Sequence, residues 1–194
     1  RPMWSCYKTL KKSLQSEPIQ RILCGGSDWG LACNTYHMLD LFTWLTNSKL
    51  TRLSSEFIDN KPIPSKRDGF FELKGTLTAS LDNGAVLLIS DTLGPPKDSY
   101  FIIETNDRLI HINEAVQKLT LISGPSVPDE LDGLSMTPEF QSTLTDKVAE
   151  DVLSRGECDL TTYKKASEIH QMMLNEFAKH FPQNENGSST CPIT

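Results

Sequence analysis

Phe71-Glu72-Leu73-Lys74-Gly75-Thr76-Leu77-Thr78-Ala79-Ser80-Leu81, then Asn83-Gly84, then Ala85-Val86-Leu87-Leu88-Ile89-Ser90, is the stretch that decides the fold. Apolar side chains recur at Phe71, Leu73, Leu77, Ala79 and Leu81, with Glu72, Lys74, Thr76, Thr78 and Ser80 between them. A period of two places one set on each face of a sheet, so Phe71 to Leu81 reads as one half-buried strand. Asn83-Gly84 is the preferred pair for a two-residue hairpin turn, whose positions both need positive φ. The strand Ala85 to Ser90 therefore returns antiparallel.

Working outward, further strands are expected at Ile19–Cys24, Leu50–Ile58, Tyr100–Thr105, Leu109–Asn113 and Lys118–Ile122, with Asn106-Asp107 as a turn. Gly25 to Gly30 reads as a turn. Apolar residues at helical spacing (Trp4, Tyr7, Leu10, Leu14) give a first helix. A second, from Leu31 to Leu45, is apolar almost all round and so belongs in the interior. Thr137–Leu153, opening on Thr137-Pro138-Glu139, and Thr162–Phe181, with Tyr163, Ala166, Ile169, Met173 and Phe177 on one face, complete the set. Strands in the middle and helices at both ends predict an α+β domain over residues 1–182. It is an open-faced, mainly antiparallel sheet with helices packed on one face, followed by a polar tail at 183–194. Ala85–Ile89 and Tyr100–Ile103 are apolar on both strand faces, which predicts a homo-oligomer through the uncovered face.

The chain has 194 residues and a net charge of -6 with no long block of one sign, which argues against nucleic acid or an anionic membrane as partner. No apolar run approaches the roughly 20 residues of a membrane helix. Cys6, Cys24, Cys33, Cys158 and Cys191 are scattered and odd in number, the pattern of reduced thiols in a cytoplasmic protein. Asn186-Gly187-Ser188 fits the glycosylation triplet, a motif short enough to arise by chance. Arg1-Pro2 reads as entry into the middle of a longer protein.

Asn34, His37 and Asp40, spaced i, i+3 and i+6, share one face of the apolar second helix. A polar stripe on a buried helix either finds structural partners or faces a wet cavity. No further ligand cluster accompanies His37 and Asp40, so no metal site is expected. Gly25, Ser27 and Gly30 echo the dinucleotide fingerprint G-x-G-x-x-G, but the middle glycine is Ser27 and no repeated βαβ pattern follows.

Gly26-Ser27-Asp28-Trp29-Gly30-Leu31-Ala32-Cys33-Asn34, running into His37-Met38-Leu39-Asp40-Leu41-Phe42, resembles the glucose–fructose oxidoreductase / inositol dehydrogenase / MocA family, in a bacterial branch associated with polysaccharide biosynthesis. Ser65-Lys66-Arg67, Gly69-Phe70, Leu73-Lys74-Gly75-Thr76-Leu77-Thr78 and the closing Cys191-Pro192-Ile193-Thr194 fit the same branch. The resemblance covers nearly the whole chain, as the C-terminal domain alone, of the dihydrodipicolinate-reductase-like type. It implies a substrate-side domain for a sugar or sugar derivative, with NAD or NADP held mainly by a separate Rossmann domain. It maps the catalytic histidine onto His37, while the family's lysine, in a Glu-Lys-Pro segment, has no counterpart here. The family's aspartate four residues before the histidine is replaced by Cys33. An imidazole suits the exchange of a hydroxyl proton because its unperturbed pKa lies near operating pH. Trp29, Asn34, Asp40, Lys66 and Arg67 are the expected substrate contacts, the last two for an anionic group on the substrate. The chain by itself is expected neither to bind a nicotinamide nor to turn over. The alternative is a non-catalytic relative that binds a sugar or a protein partner.

Overall fold

The computed structural model describes residues 1–126, 131–182 and 190–193. The chain runs α1 (Ser5–Ser13), β1 (Ile19–Ser27), α2 (Leu31–Leu45), β2 (Leu50–Ile58), β3 (Ile63–Pro64), β4 (Phe71–Glu72), β5 (Gly75–Leu81), β6 (Val86–Asp91), β7 (Lys97–Thr105), β8 (Leu109–Asn113), β9 (Lys118–Ser123), α3 (Gln141–Arg155) and α4 (Tyr163–Ala178). Seven strands form one sheet in the order β2-β5-β6-β1-β7-β8-β9, and β3-β4 is a separate small ribbon. Within the large sheet β1 and β6 are parallel, and every other neighbour pair is antiparallel. The α+β class and the mainly antiparallel sheet are as the sequence predicts.

Alternation builds the core. The inward residues Ile22, Leu77, Leu87, Ile89, Phe101, Ile103, Ile110 and Ile112 pack in one cluster with Tyr7 and Leu10 of α1, Leu39 and Phe42 of α2, and Ile169, Met173 and Phe177 of α4. Full burial of a side chain such as Leu39 or Phe42 contributes about 1.5–3 kcal/mol. On the opposite face the register aligns Thr78, Leu88, Leu23, Ile102, His111 and Thr120 across the strands. That face is therefore apolar only along the central strands β6, β1 and β7, where Val86 and Tyr100 are exposed.

Four local expectations are corrected. First, the single strand Phe71–Leu81 is two, because Gly75 (φ 115°) turns the chain between β4 and β5 and carries Lys74 inward. A Cβ at Gly75 would meet the Phe57 carbonyl oxygen at 2.3 Å. Second, the hairpin turn has three residues, since only Gly84 has positive φ and the Gly84 N–H bonds the Leu81 carbonyl, a type I turn closed by a left-handed glycine. Third, β1 continues through Gly25 and Gly26 to Ser27. A Cβ at Gly25 would lie 2.8 Å from the Tyr100 hydroxyl, so this glycine admits a ring and makes no turn. Fourth, α3 begins at Gln141, because Glu139 is drawn away to the Ser5 amide of α1. The polar tail lies outside the described residues at 183–189, with the Asn186 triplet. Beyond it, the Pro192 carbonyl accepts the Phe71 N–H at 2.8 Å.

Helix α4 starts at the Thr162 cap, whose side chain accepts the Lys165 amide, and buries Ile169, Met173 and Phe177; Tyr163 stays exposed. Helix α3 differs from the others in burying no residue at all.

Candidate active site

The end of β1 delivers the chain into α2 through Asp28-Trp29-Gly30. Asp28 and Gly30 both adopt positive φ, 52° and 85°. Glycine is favoured at the second by that φ, and a Cβ there would also crowd the side-chain ends of Glu72 (Oε1) and Asn34 (Nδ2), each at 3.3 Å. Two neighbouring strands supply carboxylates to the start of the helix. Asp91, at the end of β6 and wholly buried, accepts the amides of Trp29 (3.4 Å), Gly30 (3.0 Å) and Leu31 (3.1 Å). Glu72 of β4 accepts the Ala32 amide at 2.9 Å. Burial drives the Glu72 carboxyl above its ordinary pKa, against the lowering effect of the helix amides. The orphan donors of a helix N-terminus are thus met by side chains.

That capping decides the dinucleotide echo at Gly25, Ser27 and Gly30. The amides that a pyrophosphate would engage are held by Asp91 and Glu72, and Gly25 faces Tyr100. The residues of this chain do not fit a nicotinamide dinucleotide at this turn.

Between the two caps stands Lys74. Its Nζ donates to Asp91 Oδ2 and to Asp28 Oδ1, each at 2.9 Å, and its side chain is 3% exposed. The two carboxylates raise its pKa against the opposing effect of burial.

The sequence-predicted site residues separate into groups. Trp29 and Asn34 line one cavity of about 370 Å³ with Met38, Asp98, Ser99 and Glu114. The Trp29 indole N–H donates to the Ser90 carbonyl at 2.9 Å, so the ring is anchored at its polar end. The Asn34 amide donates to the carbonyls of Trp29 (2.9 Å) and Gly30 (3.1 Å). Opposite, Glu114 is gripped by Arg1 (Nε to Oε1, 2.9 Å) and by the Tyr7 hydroxyl at 2.5 Å. His37 lies one turn beyond Asn34 on the exposed shoulder of α2, edge-on to Tyr36 at 5.8 Å. No hydrogen bond joins it to another described residue. Partial loss of water, with the Arg1 guanidinium nearby, holds its pKa below the ordinary histidine value, so the ring is a neutral base near pH 7. Asp40 points away to Thr161, whose hydroxyl donates to it at 2.5 Å. Lys66 and Arg67 are exposed in the β3–β4 connection and do not line the cavity; Lys66 acts electrostatically on Asp28. Cys33 is exposed. Among the described residues no cluster of three metal-ligating side chains occurs, and no helix is long and apolar enough to cross a membrane.

Sequence reasoning missed Lys74, Asp91, Glu72 and the Arg1–Glu114–Tyr7 group. One signal was available, the glycine after Lys74, which marks a strand break.

No family model and no curated protein matches the sequence. Solved structures do. UDP-N-acetylglucosamine 3-dehydrogenase GnnA from Acidithiobacillus ferrooxidans shares 12% identity at a TM-score of 0.53, over 88% of this chain and 58% of that one. An oxidoreductase from Agrobacterium radiobacter, in complex with NAD+, L-tartaric acid and magnesium, shares 16% at 0.57, over 91% and 58%. The WlbA dehydrogenase from Bordetella pertussis, in complex with NADH and UDP-GlcNAcA, shares 14% at 0.55, over 89% and 56%. The chain spans less than two thirds of the length of each. At the level of the fold the resemblance carried by Gly26 to Asp40 holds: this chain has the α+β sheet fold found in oxidoreductases of the glucose–fructose oxidoreductase / inositol dehydrogenase / MocA type.

Proposed function

We propose that this chain is the substrate-side domain of an NAD(P)-dependent oxidoreductase acting on a sugar or sugar derivative, with His37 exchanging the proton of the reacting hydroxyl. The observation that carries the reading is the state of His37. Whereas Asn34, Thr35, Asp40 and Thr43 of the same helix hydrogen-bond through their side chains, its imidazole is bonded to no described residue, is neutral near pH 7 and stands one turn from the cavity of Trp29 and Asn34. Trp29 offers a ring face to the apolar side of a sugar, and Asn34 keeps its side-chain oxygen as an acceptor. The nicotinamide would accept or supply the hydride and belongs to a nucleotide-binding domain outside this sequence, since the amides at the start of α2 are taken. The solved neighbours in complex with NAD+ or NADH support that assignment of the cofactor, and the one in complex with UDP-GlcNAcA supports a sugar substrate.

General acid–base catalysis contributes about 10²–10⁴-fold, so His37→Ala in the complete enzyme should lower turnover by that factor and leave cofactor affinity unchanged. A stable, fully active His37→Ala enzyme would remove the proposal. The central stripe Leu23, Leu88 and Ile102 on the uncovered sheet face is where two copies would associate in the cytoplasm, and a monomeric mass at micromolar concentration would contradict it. A second reading, a non-catalytic sugar- or protein-binding relative, is favoured by Cys33 at the family's aspartate position. Turnover of the complete protein separates the two.

A further inference from the structure

We infer that Lys74 is the positioning residue of the cleft, fixing the pose of Trp29 through the two aspartates it joins; this rests on reading Trp29 as a wall of the substrate cleft. The turn Asp28-Trp29-Gly30 is held at both ends by one ammonium. Upstream, Lys74 Nζ bonds Asp28 Oδ1 at 2.9 Å. Downstream, it bonds Asp91 Oδ2 at 2.9 Å, and the Asp91 carboxylate accepts the amides of Trp29, Gly30 and Leu31. The indole itself is tied to the carbonyl of Ser90, the residue before Asp91. Lys74, Asp91 and the Trp29 ring therefore form one connected unit at the end of β6.

The two arms differ in kind. Asp91 is wholly buried, and an unpaired carboxylate there would unsettle the whole domain. Asp28 is 58% exposed and water would satisfy it, so its bond to Lys74 is not needed to satisfy the core. What that bond does is hold a non-glycine residue at φ 52°, a conformation L side chains adopt at a local cost. Released from Lys74, Asp28 keeps its own N–H on the Thr92 carbonyl at 3.2 Å but loses its side-chain restraint, so it can relax toward negative φ and turn the backbone that aims Trp29. Lys66, which lowers the Asp28 pKa electrostatically, is exposed and bonds neither carboxylate, so it cannot replace Lys74.

The test follows Trp29 alone. In a chain carrying Trp4→Phe and Trp44→Phe, acrylamide quenching reads the exposure of the remaining indole. In Asp28→Ala, which leaves Lys74 no acceptor on the turn, the quenching constant should rise about twofold or more, with far-UV circular dichroism unchanged. Lys74→Met should raise it at least as far. Quenching that stays at the parent level in Asp28→Ala overturns the inference, and this variant decides the matter even if Lys74→Met fails to fold. The result is independent of the sugar reading: unchanged quenching beside a turnover loss in His37→Ala would sink the role of Lys74 and leave the proposed reaction standing.

Discussion

The carboxylate of Asp40 accepts a 2.5 Å hydrogen bond from the Thr161 hydroxyl, 121 residues along the chain, and makes none with His37 one turn before it. It fastens α2 to the segment that leads into α4. Thr161→Ala should cost about 1.5–3 kcal/mol in urea unfolding, the range for a hydrogen bond to a charged group, and Asp40→Asn, which keeps an acceptor but loses the charge, should cost less. Asp40 acts on His37 only through its charge, which raises the ring's pKa. An NMR titration should therefore show His37 titrating lower in Asp40→Asn, not higher. A large downward movement would mean that the two groups are directly bonded, and no movement at all would mean that the Asp40 charge does not reach the ring.

Lys74 gives the second prediction, on stability. Removing one partner of a buried ion pair leaves an uncompensated charge, and Asp91 has no solvent to turn to. Lys74→Met should cost about 3–5 kcal/mol in chemical denaturation. An isosteric swap with near-native stability would show that Asp91 is held by the helix amides alone.

Gly75 gives the third. At φ 115°, with the Phe57 carbonyl oxygen where a Cβ would stand, the position rejects any side chain. Gly75→Ala should destabilise by about 1–3 kcal/mol, or shift the β4–β5 break. Gly84→Ala is the comparison: its φ is also positive, but nothing lies within 4 Å of its Cβ position, so it should cost less.

Glu139 gives the fourth. The Ser5 amide, with Lys147 beside it, pushes its carboxyl down to about 2 from an ordinary 4.5. A depressed folded-state value means that its contribution to stability is complete above pH 4.5 and is lost as pH falls toward 2. The thermal midpoint of the parent should fall through that window, and Glu139→Gln should show a shallower fall. Equal slopes would show that the contact adds nothing in solution.

Period-two alternation made the strands legible because each inner residue meets the core and each outer one meets water. The even hydrophobicity of Leu31–Leu45 marked the buried helix for the same reason. Lys74 was illegible because a lysine on an alternating strand reads as solvent-facing. Its inward turn depends on the break at Gly75 and on partners 46 and 17 residues away. The start of α3 was misplaced because Thr137-Pro138-Glu139 carries genuine helix-start chemistry, but Glu139 finds the Ser5 amide of α1 instead of its own helix. Trp29 and Asn34 lie close in sequence, at the entry to α2, and the structure brings them to one cavity. Lys66 and Arg67 stand off that cavity, and nothing local tells which way a hairpin connection leans.

Helix α3 buries none of its 15 residues. Isolated helices of that length are marginal in water, and the tertiary packing that normally sustains them is reduced here to the half-buried Leu144, Val148 and Asp151. Its opening free energy should therefore sit far below that of the sheet. Backbone amides along α3 should exchange with deuterium orders of magnitude faster than those of β1 and β6, and a protease at low dose should make its first cut there. The domain would then behave as two cooperative units, with a sheet-and-α2 body that keeps its cavity while α3 melts and reforms.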